Sequence, residues 1–255
     1  MRPALFNTNK RPNHIFACQT SNVYVFGLAV LMIQRFPNLP YYCPLIMSMS
    51  ITNIIVGFTV LVSLYAFRNQ TVLQRLILNP YATAQRKEYY RFITSGFIHK
   101  DHMHLIFNML SLYFFGNVVE RQFNFIFSSR GDLYYILLYV LGIIVSDVPS
   151  FLKHQTNPGY NSLGASGGVA SVIFTFILLR PLDKICLYFA LCVEGFILGA
   201  LYLIFSYYQG RKANDNINHD AHLFGALFGL VFIAVLHPQS IPDFFVQVSQ
   251  WKYFN

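Results

Sequence analysis

Apolar runs at about 47 to 67, 104 to 119, 132 to 148, 167 to 180, 185 to 208 and 221 to 237 constrain this chain more than any other feature. A helix needs ~20 apolar residues to cross a bilayer, and in lipid every backbone N–H and C=O has to be satisfied within the structure itself. Runs of this length predict spanning helices. The third, fourth and sixth are short by that measure, and neighbouring helices with local thinning of the bilayer can shield them. Composition agrees, since 55% of residues are hydrophobic and 11% charged, against the roughly 25% charged of a soluble domain. The expected class is an all-α polytopic membrane protein of six transmembrane helices.

A shorter run, Val23 to Ile33, is followed by Pro37, Pro40 and Pro44, which interrupt helix formation. It reads as interfacial or as an extra hydrophobic element, and the start of the chain lacks the compact pattern of a signal peptide. The net charge is +8, but the basic residues lie between apolar runs rather than in one stripe. Anionic lipid headgroups, not nucleic acid, are the expected partner. Cys18, Cys43, Cys186 and Cys192 form no CxxC pair and read as packing residues.

Polar residues can cooperate only if they reach one depth. With six crossings, the second, fourth and sixth helices all begin on the same side of the membrane. His104 and Asn108 then lie in the first turns of the second helix, Ser166 at the mouth of the fourth and His222 at the start of the sixth. This coincidence survives reversal of the whole topology. Absolute orientation stays open, because the 18 Lys and Arg residues divide evenly between the two sides and the positive-inside rule is silent.

A serine hydroxyl becomes a useful nucleophile when an imidazole takes its proton and donors stabilise the oxyanion. Ser166 offers the hydroxyl among glycines that allow close approach. His222 lies in AHLFGALFG, where Gly225 and Gly229 keep one helix face bare for packing, which could bring it against the Gly167 and Gly168 side of the fourth helix. His104 and Asn108, four apart, share a helix face and could support an oxyanion beside the Ser166 N–H. Each feature alone has a plainer reading: a helix cap, an interfacial histidine, a packing motif, a polar contact between helices. Asp220 is two residues from His222 and points elsewhere, so a Ser–His dyad is the simpler arrangement.

HMHLIFNMLSLYFFG (102 to 116), GASGG (164 to 168) and AHLFGALFG (221 to 229), in this order, resemble the motifs of rhomboid-family intramembrane serine proteases over about residues 47 to 237. The resemblance implies a six-helix rhomboid-like bundle, with an N-terminal cytoplasmic or interfacial segment (1–46), a membrane protease domain (47–237) and a short tail (238–255). It implies Ser166 as nucleophile, His222 as general base, His104 and Asn108 as oxyanion support, Gly164 and Gly167 as shapers of the nucleophile site, and Glu120 as a structural glutamate. The reaction would be hydrolysis of a peptide bond in or near a transmembrane segment, without cofactor or metal. Transmembrane proteins would be the substrates, cut after a small residue with a helix breaker beyond. A bacterial cytoplasmic membrane is the expected setting. Two positions depart from the family pattern. Tyr90–Arg91 stands where many members have Trp-Arg in the first loop, and Ala170 stands where many place an aromatic against the histidine, leaving that support to another ring.

Three further readings bear on the same residues. His99, His102, His104, His219 and His222, with Asp101 and Asp220, could ligate a metal, but that leaves Ser166 and its glycines unexplained; outside the dyad, the other three histidines read as exposed loop residues. Glu194 falls within the fifth apolar run and there would need protonation, a partner or a polar interior. A non-catalytic rhomboid-like protein that binds membrane clients would not need both Ser166 and His222, and a transporter would show a polar route across the membrane.

Overall fold

The computed structural model describes residues 23–25, 50–187, 191–212 and 218–252. After a strand, β1 (Val23–Val25), the chain forms α1 (Ile51–Arg68), then three short helices α2 (Gln70–Leu76), α3 (Pro80–Arg86) and α4 (Arg91–Thr94). Next come α5 (His102–Ser111), a π-helical turn over Leu112–Gly116, α6 (Asn117–Phe127), α7 (Gly131–His154) and α8 (Ser166–Leu179). A hairpin of β2 (Lys184–Leu187) and β3 (Leu191–Glu194) leads into α9 (Gly195–Lys212), α10 (His219–Leu236) and α11 (Ser240–Ser249). The rest of the run from Val23 to Ile33 lies outside the described residues.

Among the described residues, three helical stretches are long and apolar enough to cross a membrane: Ile51–Arg68, His102–His154 and His219–Leu236, with Ser166–Leu179 a shorter apolar helix. The 53-residue stretch from His102 turns back on itself at Ser128, whose φ of 51° breaks the helical path, and α7 packs against α6. The chain is a multi-pass, largely helical membrane bundle.

α8 is its centre. Ten of its residues, from Gly167 to Ile177, are buried, and it packs most extensively against α10 and α7. Backbone proximity explains why glycines stand in the contact. A Cβ on Gly225 would strike the Gly167 carbonyl, and one on Gly229 would strike the backbone of Ser171. Thr175 of α8 also donates to the Gly229 carbonyl at 3.1 Å. The bare face of AHLFGALFG thus meets α8 at Gly167, as the sequence indicated, and at Ser171, whereas Gly168 turns toward Tyr139 and Ile143 of α7.

Glu120 ties α1 to α6. Its carboxylate accepts from Ile51 N (2.8 Å), Thr52 N (2.9 Å) and the Thr52 hydroxyl (2.7 Å), placing negative charge where the first N–H groups of a helix lack partners. In the loop region, Arg91 is buried and donates through Nη1 to the carbonyls of Gln74 and Ile77, both at 2.8 Å, while Nε pairs with Glu88 at 2.7 Å. The loop is therefore a folded unit of α2, α3 and α4.

Four expectations are corrected. The bundle is not wholly helical, because β2 pairs antiparallel with β3 and parallel with β1. Glu194 is not inside a spanning helix: it ends β3 opposite Lys184, their charged groups 4.0 Å apart. Cys186 and Cys192 face each other in the hairpin and form a disulfide, so they are a covalent pair and not merely packing residues. His99 and His219 are buried, and not exposed loop residues.

His99 pins the loop before α5 to α1 and to the start of α8. Nε2 accepts the Ala165 N–H at 3.4 Å, which leaves the proton on Nδ1 to donate to Ser63 Oγ at 2.9 Å; Ser63 in turn donates to the Phe97 carbonyl at 3.0 Å. Burial, reinforced by neighbouring His104, lowers the His99 pKa from 6.5 to about 3. Protonation would also set a second imidazole N–H against the Ala165 N–H. Between these two pKa values the unfolded chain holds the extra proton, so this contribution is complete above pH ~6.5 and is lost as pH falls toward 3. We expect the unfolding temperature in detergent to drop between pH 7 and 4.5, and to drop less in His99→Asn. Equal drops would remove His99 from the acid response.

Candidate active site

Ser166 opens α8, but it does not cap it. The cap position is Ala165, with no side-chain hydrogen bond, so the Ser166 hydroxyl is not engaged as the plain reading required. The first intrahelical bond runs from Val169 N to Ala165 O, leaving the N–H groups of Ser166, Gly167 and Gly168 at the helix mouth without partners inside the helix. Gly164 precedes them with φ of 120°, a conformation side chains rarely adopt, and a Cβ there would come within 2.6 Å of the His104 ring. Glycine is required twice at this position, by backbone and by space.

His104 and Asn108 stand on α5, whose start is fixed by Asp101 accepting the His104 N–H at 2.8 Å. That bond holds the Asp101 carboxyl below the usual carboxylate range. Asn108 is buried, and its Nδ2 donates to the His104 carbonyl at 2.9 Å. The His104 and His99 rings meet edge-on at 5.0 Å.

His222 lies in the first turn of α10, after the cap Asn218, whose side chain accepts from Ala221 N at 3.0 Å. Asp220 turns away and reaches Lys153 at 3.8 Å, so it is no third member of a triad. Ser166, His222, His104 and Asn108 all line one cavity of about 410 Å³, whose remaining walls are mostly apolar, among them Phe115, Phe174, Leu198 and Tyr202. Among the described residues no hydrogen bond joins Ser166 to His222. Such bonds are often long in the free enzyme and tighten only around substrate.

The sequence did not identify Tyr202 or Asp147 as neighbours of this site. Tyr202, on α9, lays its ring over His222 at 6.4 Å with an interplanar angle of 26°, and it meets Phe174 at 5.6 Å. It packs against the cluster of Ala170, Phe174 and Ala226, so an aromatic ring from a different helix lies near both Ala170 and His222. Only its place in an apolar run was legible. Asp147 is buried on α7 beside Ser95 and Ser162, hidden in sequence by its distance from the three motifs.

Comparison with known proteins adds a separate line of support. Over 149 residues the chain is 32% identical to RHOMBOID-like protein 12, mitochondrial, of Arabidopsis thaliana, covering 52% of this chain and 42% of that protein. It is 28% identical over 160 residues to Rhomboid-like protein 11, chloroplastic, of the same plant, covering 58% of this chain and 52% of that protein. It is 25% identical over 148 residues to Rhomboid protease GlpG of Haemophilus influenzae, covering 58% of this chain and 70% of that protein. The matches thus span about half the length of the plant relatives. The Rhomboid domain family model matches residues 86–239, more than half of the chain, which therefore belongs to the rhomboid family.

Proposed function

We propose that this protein is an intramembrane serine endopeptidase of six transmembrane helices that hydrolyses a peptide bond in or near a transmembrane segment of another protein. The observation that carries the reading is the single cavity shared by Ser166, His222, His104 and Asn108. Those four side chains come from α8, α10 and α5, so it is folding, not sequence adjacency, that collects them. Membership of the rhomboid family supports the same chemistry.

Ser166 Oγ attacks the scissile carbonyl carbon while His222 takes the hydroxyl proton. The carbonyl oxygen becomes an oxyanion, held by the Ser166 N–H at the positive end of α8 and by His104 and Asn108. Collapse of the tetrahedral species breaks the C–N bond, and the imidazolium gives its proton to the leaving amine. Water then attacks the acyl carbon as His222 takes its proton, and collapse breaks the C–Oγ bond while the imidazolium returns that proton to Ser166 Oγ, releasing the carboxylic acid. No carboxylate is assigned to the base; Tyr202 restrains its ring instead. Gly164 leaves room for the His104 ring and Gly167 for the close packing of α7 behind Ser166, and the apolar walls suit an unwound apolar segment. The surrounding partners are membrane lipids.

Purified protein in detergent should cleave a model transmembrane substrate, and Ser166→Ala and His222→Ala should each abolish cleavage while leaving the melting temperature near wild type. Full cleavage by Ser166→Ala would eliminate the serine mechanism. Loss of one oxyanion donor removes ~3 kcal/mol of transition-state stabilisation, about a hundredfold in rate, so Asn108→Ala should lower kcat by that order at nearly unchanged KM. A folded Asn108→Ala with normal turnover would reduce Asn108 to a helix contact. Tyr202→Ala should lower kcat about tenfold, whereas Tyr202→Phe, which keeps the ring, should stay near wild type. Equal rates for the two would deny the ring any part in holding His222.

A further inference from the structure

The proposed mechanism leaves one buried carboxyl unused. Asp147 sits on α7 at 6% exposure, and both its oxygens accept hydroxyl hydrogen bonds: Oδ1 from Ser162 at 3.2 Å and Oδ2 from Ser95 at 3.4 Å. A carboxyl removed from water is costly unless it is fully hydrogen-bonded, so these contacts have to be made together.

Each donor leads to one arm of the site. The Ser95 carbonyl accepts the Gly164 N–H at 2.9 Å, two residues before the nucleophile. Ser162 exchanges backbone hydrogen bonds with Leu78 at 3.1 and 2.9 Å, fixing the segment that runs into α8. The Ser162 oxygen also accepts from Asn218 Nδ2 at 3.1 Å. Asn218 is the cap of α10, and its Oδ1 accepts from Ala221 N and from the Ser150 hydroxyl, both at 3.0 Å.

Proton positions in this chain have one direction. Asn218 Nδ2 can only donate, so Ser162 must receive it and point its own single proton at Asp147. The carboxyl is thus the acceptor at which the loop before Ser166 and the helix start before His222 are tied to the same atom group.

We propose that Asp147 is a positioning residue for the catalytic pair, aligning the nucleophile loop and the base-bearing helix through Ser162 and Asn218. It touches neither substrate nor reacting atoms, and the inference rests on the protease reading. Its effect belongs in kcat and in the reactivity of Ser166, with substrate affinity little changed.

Reversing the polarity of the chain tests it. In Asn218→Asp the side chain still accepts from Ala221 N–H and Ser150, but it cannot donate to Ser162, whose one proton then faces two carboxyl groups. Combined with Asp147→Asn, the new amide at position 147 donates to Ser162, Ser162 donates to position 218, and the amide oxygen keeps the Ser95 bond. The expected result is a tenfold or greater fall in kcat for Asn218→Asp at unchanged KM, with recovery to within about threefold in the double variant. The rate of Ser166 labelling by a fluorophosphonate, per folded molecule, should follow the same order. Ser162→Ala, a small deletion, should lower kcat about tenfold with little change in melting temperature, and it decides the matter alone if Asn218→Asp does not fold. A double variant no faster than Asn218→Asp, or full turnover by Ser162→Ala, would overturn the positioning role. A wild-type protein that neither cleaves nor labels at Ser166 would overturn the protease reading, and this inference with it.

Discussion

The close approach of α8 and α10 is the contact on which everything else in this bundle depends. Lipid tails are as apolar as the helices they surround, so burial of apolar area gives little drive for helix association in a bilayer, and packing with interhelical hydrogen bonding has to supply it. Gly225 and Gly229 remove the side chains that would hold the two backbones apart, and Thr175 then reaches the Gly229 carbonyl. On the opposite flank, Gly142 of α7 and Gly168 of α8 leave room for Ser171 and for Ile143 and Tyr139 where those helices meet. At Gly225 and Gly229 the atoms in the way are backbone, so a methyl group there forces backbone movement. The separation of Ser166 from His222 is therefore set by backbones, which are stiffer than side chains.

Around that rigid contact, the polar groups are held by donors and acceptors of fixed direction. Glu120 receives the first N–H groups of α1, Arg91 gathers carbonyls of the loop, and His99 links α1 to Ala165, the residue before Ser166. Each links segments far apart in sequence, and each sits where an unsatisfied group would be costly in a low-dielectric surround. These long-range polar pins explain how one serine can remain uncommitted at a helix mouth that backbone strain at Gly164 already shapes.

The parts legible in sequence were those with a local or periodic signature. Apolar runs marked the long apolar helices and α8 found among the described residues, glycine spacing marked the α8–α10 contact, and the parity of helix starts singled out His104, Asn108, Ser166 and His222, which line one cavity. What escaped had no such signature. The run at 185 to 208 is apolar apart from Glu194 and Ser206, and its hydropathy alone does not separate a strand hairpin from a helix; the β2–β3 pairing depends on partners across the turn. The disulfide was invisible because Cys186 and Cys192 lie six positions apart, a spacing that becomes a contact only in antiparallel register. His99 looked like one of several exposed histidines because burial is a property of the neighbours, here Ser63 and Ala165, and not of the residue. Tyr202 is one aromatic among many, and only the packing of α9 beside Ala170 gives it a task.

Division of labour among the helices follows from these contacts. α7, α8 and α10 share the tight glycine-lined core and carry Ser166, His222 and the two ends of the polar chain from Asn218 to Asp147. α9 is buried only at Gly195, Gly199 and Ser206, yet it supplies Tyr202, Leu198 and Gly199 to the cavity wall. The backbone geometry of the candidate pair is thus fixed by one set of helices, while the wall and the ring over His222 come from another that is held less closely. A change in α9 alters the shape of the cavity and the restraint on the imidazole together, without moving the Ser166 backbone. Asp147 acts in the opposite sense, since it binds both arms of the site and contributes nothing to the wall.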